Sequence, residues 1–79
     1  MPVLLEILTE RARQDAQWGG PVYDDQHLVE DWVEIIGIQL ASAGDAGEDS
    51  LPEARRRLIN VAAMAVAAVE ALDRKTHGR

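Results

Sequence analysis

The chain contains no cysteine and no phenylalanine, and aromatic residues make up only 4% of its 79 residues. The absence of cysteine excludes disulfide bonds, thiolate metal ligands and a cysteine nucleophile. No apolar run approaches the roughly 20 residues that a membrane-spanning helix needs. The N-terminal run lacks a basic region and is interrupted by Glu6 and Glu10, so no signal peptide is expected. We therefore expect a soluble, cytoplasmic protein with no membrane partner.

Basic residues are also few: eight lysines and arginines stand against fourteen acidic residues, for a net charge of -6. This balance argues against direct binding to a nucleic-acid backbone, which requires clustered cations. The two serines, Ser42 and Ser50, lack the glycine-flanked setting of a nucleophile, and phosphate-loop and dinucleotide fingerprints are absent. The acidic surface is compatible with metal binding, with a basic protein partner, or with solubility alone.

The most distinctive segment is LINVAAMAVAAV at residues 58–69, in which Asn60 is the single polar residue. A helix that is apolar on every side is expected to be wrapped by other helices. The segment therefore predicts a central helix around which the rest of the chain packs. Because a chain of 79 residues buries only a marginal core, we also expect self-association into a homodimer or a larger oligomer.

Apolar residues at helical spacing predict three helices, at about residues 2–17, 25–43 and 51–75, and there is no strand-like alternation. The first helix carries an apolar stripe formed by Leu4, Leu5, Leu8, Ala12 and Ala16. The stripe of the second helix comprises Trp32, Ile35, Ile36 and Leu40, widened by Leu28, Val29 and Val33. The predicted fold class is all-α, a compact bundle of three main helices in one domain over residues 1–79.

Local signals mark the ends of these helices. Gly19-Gly20-Pro21 is expected to end the first helix. Asp24 or Asp25 is expected to cap the second. The sequence at residues 50–53, Ser-Leu-Pro-Glu, matches a capping box at the start of the third.

The second helix carries a candidate metal site. Its members are spaced i, i+3, i+4 and i+7, which places them within an arc of about 100° opposite the apolar stripe. They are His27, Glu30, Asp31 and Glu34. Three carboxylates and an imidazole suit Mg²⁺ or Mn²⁺. The alternative interpretation is the solvated face of an amphipathic helix.

A candidate ligand site lies in the glycine-proline segment at residues 17–25, where two large rings and two acids are close in sequence. Trp18, Tyr23 and Asp24 are suited to stacking a base and holding a metal-bound phosphate; alternatively, the two rings close the open end of the helical core. Asn60 is a fourth candidate. A buried amide that finds no partner costs about 1–3 kcal/mol, so Asn60 is expected either to bond to another helix or to face a ligand.

Motifs along residues 6–75 resemble a known family. The pattern is ER-x-RQ-x3-WG, then an acidic turn, a helix entered through a tryptophan, and a final L-x-x-VAA-x-AVA-x-x-E helix. It resembles small phage and prophage proteins that are MazG-like members of the all-α nucleoside triphosphate pyrophosphohydrolase group. The matching residues are Glu10, Arg11, Arg13, Gln14, Trp18, Gly19, Trp32, Gly37, Leu58, Val61 to Ala63, Ala65 to Ala67 and Glu70.

The resemblance implies the fold more strongly than the activity. Members of that group hold Mg²⁺ through an E-E-x-x-E cluster on one helix and an E-x-x-D pair on the next, and water attacks between the α and β phosphates. Aligned through Gly37, this chain keeps only the first carboxylate, Glu34. The other four positions are occupied by Ile35, Ile38, Arg57 and Asn60.

We therefore interpret the chain as a small phage-type MazG-like protein of the bacterial host's cytoplasm, catalytically inactive, that binds a nucleotide-type ligand or a host protein. One specific form is an anti-defence protein, such as an anti-CRISPR inhibitor with an acidic surface that occludes a basic groove. This interpretation assigns no catalytic residue and no cofactor. The alternative is a pyrophosphohydrolase that uses Mg²⁺ or Mn²⁺ at the displaced site on the second helix, and a third interpretation is a structural dimerisation module.

Overall fold

A computed structural model describes residues 2–77 as a helical bundle. The helices are α1 (Val3–Trp18), α2 (Gly20–Asp24), α3 (Val29–Ala46) and α4 (Leu51–His77), with a 3-10 turn at Gly47–Asp49. There is no strand in this part of the chain, so the predicted all-α class and its three main helices are confirmed. Over the same residues, the helices lack the combination of length and apolarity needed to cross a membrane.

The segment after α1 folds differently from the prediction. Gly19 does end α1: its φ of 110° lies in the left-handed region, and its N–H donates to the Asp15 carbonyl at 3.0 Å. Residues 20–24, however, form the short helix α2 and not a turn. Pro21 favours this outcome, because a proline near a helix N-terminus has a preset φ and forfeits no helical hydrogen bond.

The predicted start of the second main helix is also wrong. Asp24 is the last residue of α2, and α3 begins only at Val29. A residue of the first turn of α3 caps that helix: the Asp31 carboxylate oxygen Oδ2 accepts a hydrogen bond from the Leu28 backbone N–H at 2.8 Å. Neither Asp24 nor Asp25 is therefore the capping residue.

The acidic half of the predicted capping box at Ser50 has another role. The Glu53 carboxylate accepts hydrogen bonds from Arg56 and Arg57. These two bonds, that from Arg56 foremost, lower the pKa of Glu53 to about 2. Arg57 also donates to the Ser42 carbonyl at 2.6 Å and so ties α4 to α3. Arg56 and Arg57 thus share one carboxylate, whereas Arg55 pairs with Glu6 on α1.

The core is built on α4 and is small. Trp32 of α3 packs on a strip of alanines and is 5% exposed. The buried alanines are Ala43, Ala63, Ala67, Ala68 and Ala71. On the opposite side of α4, Leu58 is 49% exposed and Val69 is 57% exposed. The expectation that residues 58–69 are wrapped on every side is therefore wrong for the single chain.

The helix α1 packs on α4 through its polar side. Gln14 is buried, and ion pairs join Arg11 to Glu70 and Glu6 to Arg55, each at 2.7 Å. The predicted apolar stripe of α1 instead faces solvent: its exposed members are Leu4, Leu5, Leu8, Ala12 and Ala16. On α3, the residues that widen the stripe, Leu28, Val29 and Val33, are also exposed. In the single chain these apolar surfaces have no helix against them.

Candidate functional site

A cleft of about 410 Å³ lies where the four helices meet. All four residues predicted to bind a ligand line it: Trp18 from α1, Tyr23 and Asp24 from α2, and Asn60 from α4. They come from segments more than 30 positions apart in sequence, and the packing of α1 and α2 on α4 brings them together. The structure thus assembles the two separately predicted candidates into one site.

Four rings form a continuous aromatic series along this cleft. Trp18 stacks on Tyr23, with ring centroids 5.9 Å apart and planes inclined by 26°. Tyr23 meets the His27 ring edge-on at 4.7 Å, and His27 lies 4.7 Å from Trp32. The series runs from Trp18, which is 53% exposed, to Trp32, which is buried. It offers aromatic surface from the mouth of the cleft to the core.

An amide pair forms the side of the cleft between α1 and α4. Gln14 Nε2 donates to Asn60 Oδ1 at 2.8 Å and to Glu10 Oε2 at 3.1 Å. Because a carboxylate without a proton only accepts, Glu10 fixes the orientation of the Gln14 amide and, through it, that of Asn60. Of the two alternatives for Asn60, the bond to another helix is observed. Its side chain also lines the cleft, and whether it faces a ligand stays a prediction.

Asp24 supplies a buried carboxylate to the same cleft. The residue is 7% exposed. Its carboxylate accepts no hydrogen bond from residues 2–77, but its oxygens, unlike the Trp32 indole nitrogen, are not both inaccessible to solvent and unpaired. Burial raises the pKa of Asp24, while the nearby positive charge of Arg11 opposes the rise. The side chain is thus an acceptor that has electrostatic neighbours but no donor.

Trp32 supplies an unpaired donor. Its indole Nε1 is inaccessible to solvent and has no acceptor among residues 2–77. A buried donor without a partner costs about 1–3 kcal/mol, and such groups are rare in folded proteins. Trp32 lines the cleft, so a ligand that enters there and carries an acceptor is one means of satisfying it.

The two arginines of the cleft are already engaged by carboxylates. Arg11 binds Asp15 at 2.8 Å and Glu70 at 2.7 Å. Arg13 makes two bonds to Glu10, at 2.7 and 2.8 Å. Neither guanidinium is therefore an uncompensated positive charge that would attract phosphate.

The four residues predicted to bind a metal are not grouped in the structure. Within the described range, no group of three or more histidine, cysteine, aspartate or glutamate side chains is arranged to hold a metal ion. His27 lies in the aromatic series, with Nδ1 3.1 Å from the Tyr23 carbonyl oxygen, and Asp31 caps α3. Glu30 and Glu34 are exposed. Since α3 begins at Val29, His27 precedes the helix and does not share its face, and the helical spacing on which the prediction relied does not apply to it.

Three site residues were missed as such by the sequence interpretation. Trp32 was assigned to the core, His27 to a metal, and Gln14 only to a family motif. One signal for the aromatic series is present in the sequence. Its four rings recur every four or five residues across the α1–α3 connection, at Trp18, Tyr23, His27 and Trp32. No comparable signal in the sequence pairs Gln14 with Asn60, because the two residues lie 46 positions apart on different helices.

Comparison of the chain with protein-family models, with curated proteins and with solved structures finds no match. The MazG-like resemblance therefore stays a prediction.

Proposed function

We propose that this chain is a non-catalytic binding protein that takes a small, flat, nucleotide-type ligand into the cleft between its helices. The observation that carries the proposal is the buried indole N–H of Trp32, which lines the cleft and has no acceptor in the described part of the chain. A buried donor without a partner calls for an explanation, and in a concave site a ligand that supplies the acceptor is one such explanation.

The size and lining of the cleft support a small aromatic ligand. At about 410 Å³ it falls near the lower end of the range of roughly 300–1,000 Å³ in which small-molecule sites lie. Trp18 presents a half-exposed ring that is suited to stacking, and base–aromatic stacking contributes about 1–3 kcal/mol per base. Apolar side chains of Ile35, Met64 and Ala67 lie beside the polar groups. Such a mixture favours a heterocycle over a purely apolar or purely ionic ligand.

Intrinsic fluorescence tests the proposal directly, because both tryptophans of the chain line the cleft. The protein is titrated with nucleobases, nucleosides and nucleoside triphosphates, each with and without Mg²⁺. We expect saturable quenching by at least one of these classes, and no requirement for Mg²⁺. In the Trp18→Phe variant, Trp32 is the sole tryptophan. Its fluorescence should still change to saturation, with the midpoint at a higher ligand concentration because the affinity is weaker.

A matched control separates the cleft from the rest of the surface. Asp24→Asn changes a cleft carboxylate, whereas Asp73→Asn makes the same change on an exposed residue of α4 that does not line the cleft. Binding that is altered by Asp24→Asn and unaffected by Asp73→Asn locates the ligand in the cleft. No saturable change with any of the compounds would refute the proposal.

The enzymatic alternative, a Mg²⁺- or Mn²⁺-dependent pyrophosphohydrolase, has less support from the geometry. The residues that would hold its metal are dispersed, and no other metal-binding group is present within residues 2–77. Binding to a host protein, including an anti-defence role, stays a prediction from charge and size.

We also propose that the chain self-associates through the exposed apolar stripe of α1. The accessible surface of the single chain is 5381 Å², whereas a compact monomer of this mass exposes about 4,700 Å². Its radius of gyration of 13.2 Å likewise exceeds the value of about 11.6 Å for a compact domain of this length. The excess area is comparable with the about 800 Å² that each partner buries in a standard interface. A second copy seated on Leu4, Leu5 and Leu8 would cover it.

A further inference from the structure

We propose that the cleft recognises the amino-bearing edge of a guanine-type heterocycle, as a free base or nucleoside, through Asp24 and Trp32, and gains nothing from a phosphate group. This inference rests on the proposed function, because it specifies the ligand of the same cleft. The cleft has hydrogen-bonding groups without partners, whereas its two arginines are already paired with carboxylates.

The acceptor in the cleft is a carboxylate. The Asp24 side chain is buried, lines the cleft and receives no hydrogen bond from the described residues. An ionised carboxylate only accepts, and it is best satisfied by two parallel donors. The Watson–Crick edge of guanine presents such a pair, the ring N1–H and the exocyclic amino group, whereas adenine presents one donor beside an acceptor.

The hydrogen-bond donors in the cleft complement the acceptor atoms of guanine. The Trp32 indole N–H lacks an acceptor, and the Asn60 amide nitrogen is free to donate because its oxygen is held by Gln14. Guanine carries acceptors at O6 and N7. Flat bases are held in proteins by stacking on aromatic rings together with hydrogen bonds to their edges, and Trp18 supplies a half-exposed ring. The indole nitrogen is covered in the free chain, so side chains of the cleft must move when a ring enters.

The charges argue against recognition of phosphate. Arg11 is shared between Asp15 and Glu70, and Arg13 is held by Glu10. A phosphate would have to displace these carboxylates, and the buried Asp24 adds a negative neighbour. A nucleoside triphosphate is therefore expected to bind no more tightly than its nucleoside.

The experiment compares four ligands by tryptophan fluorescence and calorimetry: guanosine, inosine, adenosine and guanosine triphosphate. Inosine is the matched control, since it lacks only the exocyclic amino group of guanosine. A site that leaves a buried polar group unpaired discriminates strongly against the analogue that lacks the partner. We expect guanosine to bind at least about tenfold more tightly than inosine or adenosine, and the triphosphate to bind no more tightly than guanosine. Asp24→Asn should abolish the preference for guanosine over inosine, and Asp73→Asn should leave it unchanged.

Equal affinity for guanosine and inosine would overturn the inference while leaving the proposed function in place. The same holds if the triphosphate binds at least about tenfold more tightly than guanosine. It also holds if the preference for guanosine over inosine survives in a folded Asp24→Asn variant. If that variant does not fold, as judged by circular dichroism, the ligand series on the unaltered chain decides. Absence of binding by every nucleobase, nucleoside and nucleotide would overturn the proposed function together with the inference.

Discussion

The Gln14 amide nitrogen on α1 donates to the Asn60 side-chain oxygen on α4 at 2.8 Å, and two ion pairs, Arg11–Glu70 and Glu6–Arg55, join the same two helices. This bond lies on the polar side of α1, which therefore faces the central helix. The leucines on the other side of α1 face solvent as a consequence. The Gln14–Asn60 pair thus joins α1 to α4, forms one side of the cleft, and lies on the side of α1 opposite its exposed leucines.

Removing one member of this pair should destabilise the fold. Gln14→Ala leaves the Asn60 oxygen without its donor, and we expect the free energy of unfolding to fall by about 1–3 kcal/mol. In the double variant with Asn60→Ala, the loss should be smaller than the sum of the two single losses, because both substitutions delete the same interaction. Urea denaturation followed by circular dichroism measures each value. Gln26→Ala, at an exposed position, is the control and should change stability little; strictly additive losses would contradict a direct interaction between the two amides.

The buried carboxylate of Asp24 predicts a pH-dependent stability. Burial raises its pKa in the folded chain above the value in the unfolded chain, so the folded state binds more protons between the two values. Stability should therefore decrease as the pH rises through the folded pKa, above the ordinary value of 3.8. Asp24→Asn removes the charge, and we expect this variant to be more stable than the parent at neutral pH. The difference should shrink as the pH falls below the ordinary aspartate range; an advantage that grows on acidification would contradict the assignment.

A charge placed in the leucine stripe of α1 should block self-association. Leu8 is 60% exposed in the single chain, so Leu8→Lys should leave the monomer folded. In a dimer that buries this stripe, however, the lysine would be desolvated without a partner. Sedimentation equilibrium should show a dimer for the parent chain and a monomer for this variant. Gln26→Lys carries the same change in charge at an exposed polar site and should remain dimeric; a parent chain that is monomeric at all concentrations tested would contradict the proposal.

The chain should not hydrolyse nucleoside triphosphates. With Mg²⁺ or Mn²⁺ present, purified protein is expected to release no more pyrophosphate than a buffer blank, because the carboxylates needed to hold the ion are not grouped within residues 2–77. A phosphate-coupled assay measures the release. Activity above the blank that is abolished by Glu34→Gln and by Asp31→Asn would restore the enzymatic interpretation. Activity that those substitutions leave intact would point to a contaminant or to another site.

The main helices were predictable from sequence because apolar residues recur at helical spacing along most of each helix. The predicted bounds of about 2–17 and 51–75 agree with α1 and α4 to within two residues. The second main helix starts later than predicted because the acids before it belong to α2 and to the connection, and Asp31 caps it from its own first turn. The orientation of α1 was not predictable from its apolar stripe, since the opposite side of the helix contacts α4, through the Gln14–Asn60 hydrogen bond and the Arg11–Glu70 ion pair among others.

The four candidate ligand-binding residues were singled out from the sequence by residue type, but their arrangement around one cleft was not predicted. Trp18, Tyr23, Asp24 and Asn60 were singled out as rings, acid and buried amide, and all four line one cleft. The sequence contained no indication that Trp32 would join them with an unpaired N–H, because apolar spacing alone assigned it to the core. The dispersal of the four candidate metal ligands has a related reason: helical spacing was applied to His27, which precedes the helix.

The most direct measurement of the central claim is a titration of ¹⁵N-labelled protein with guanosine, followed through the indole N–H resonances. The chain has two tryptophans and therefore two such signals, and Trp18→Phe assigns them. If the cleft binds a flat ligand that accepts from Trp32, the Trp32 signal will move downfield to saturation as a new hydrogen bond forms. If both signals stay unchanged up to about 1 mM guanosine, and adenosine and inosine also have no effect, the cleft is not a site for this class of ligand.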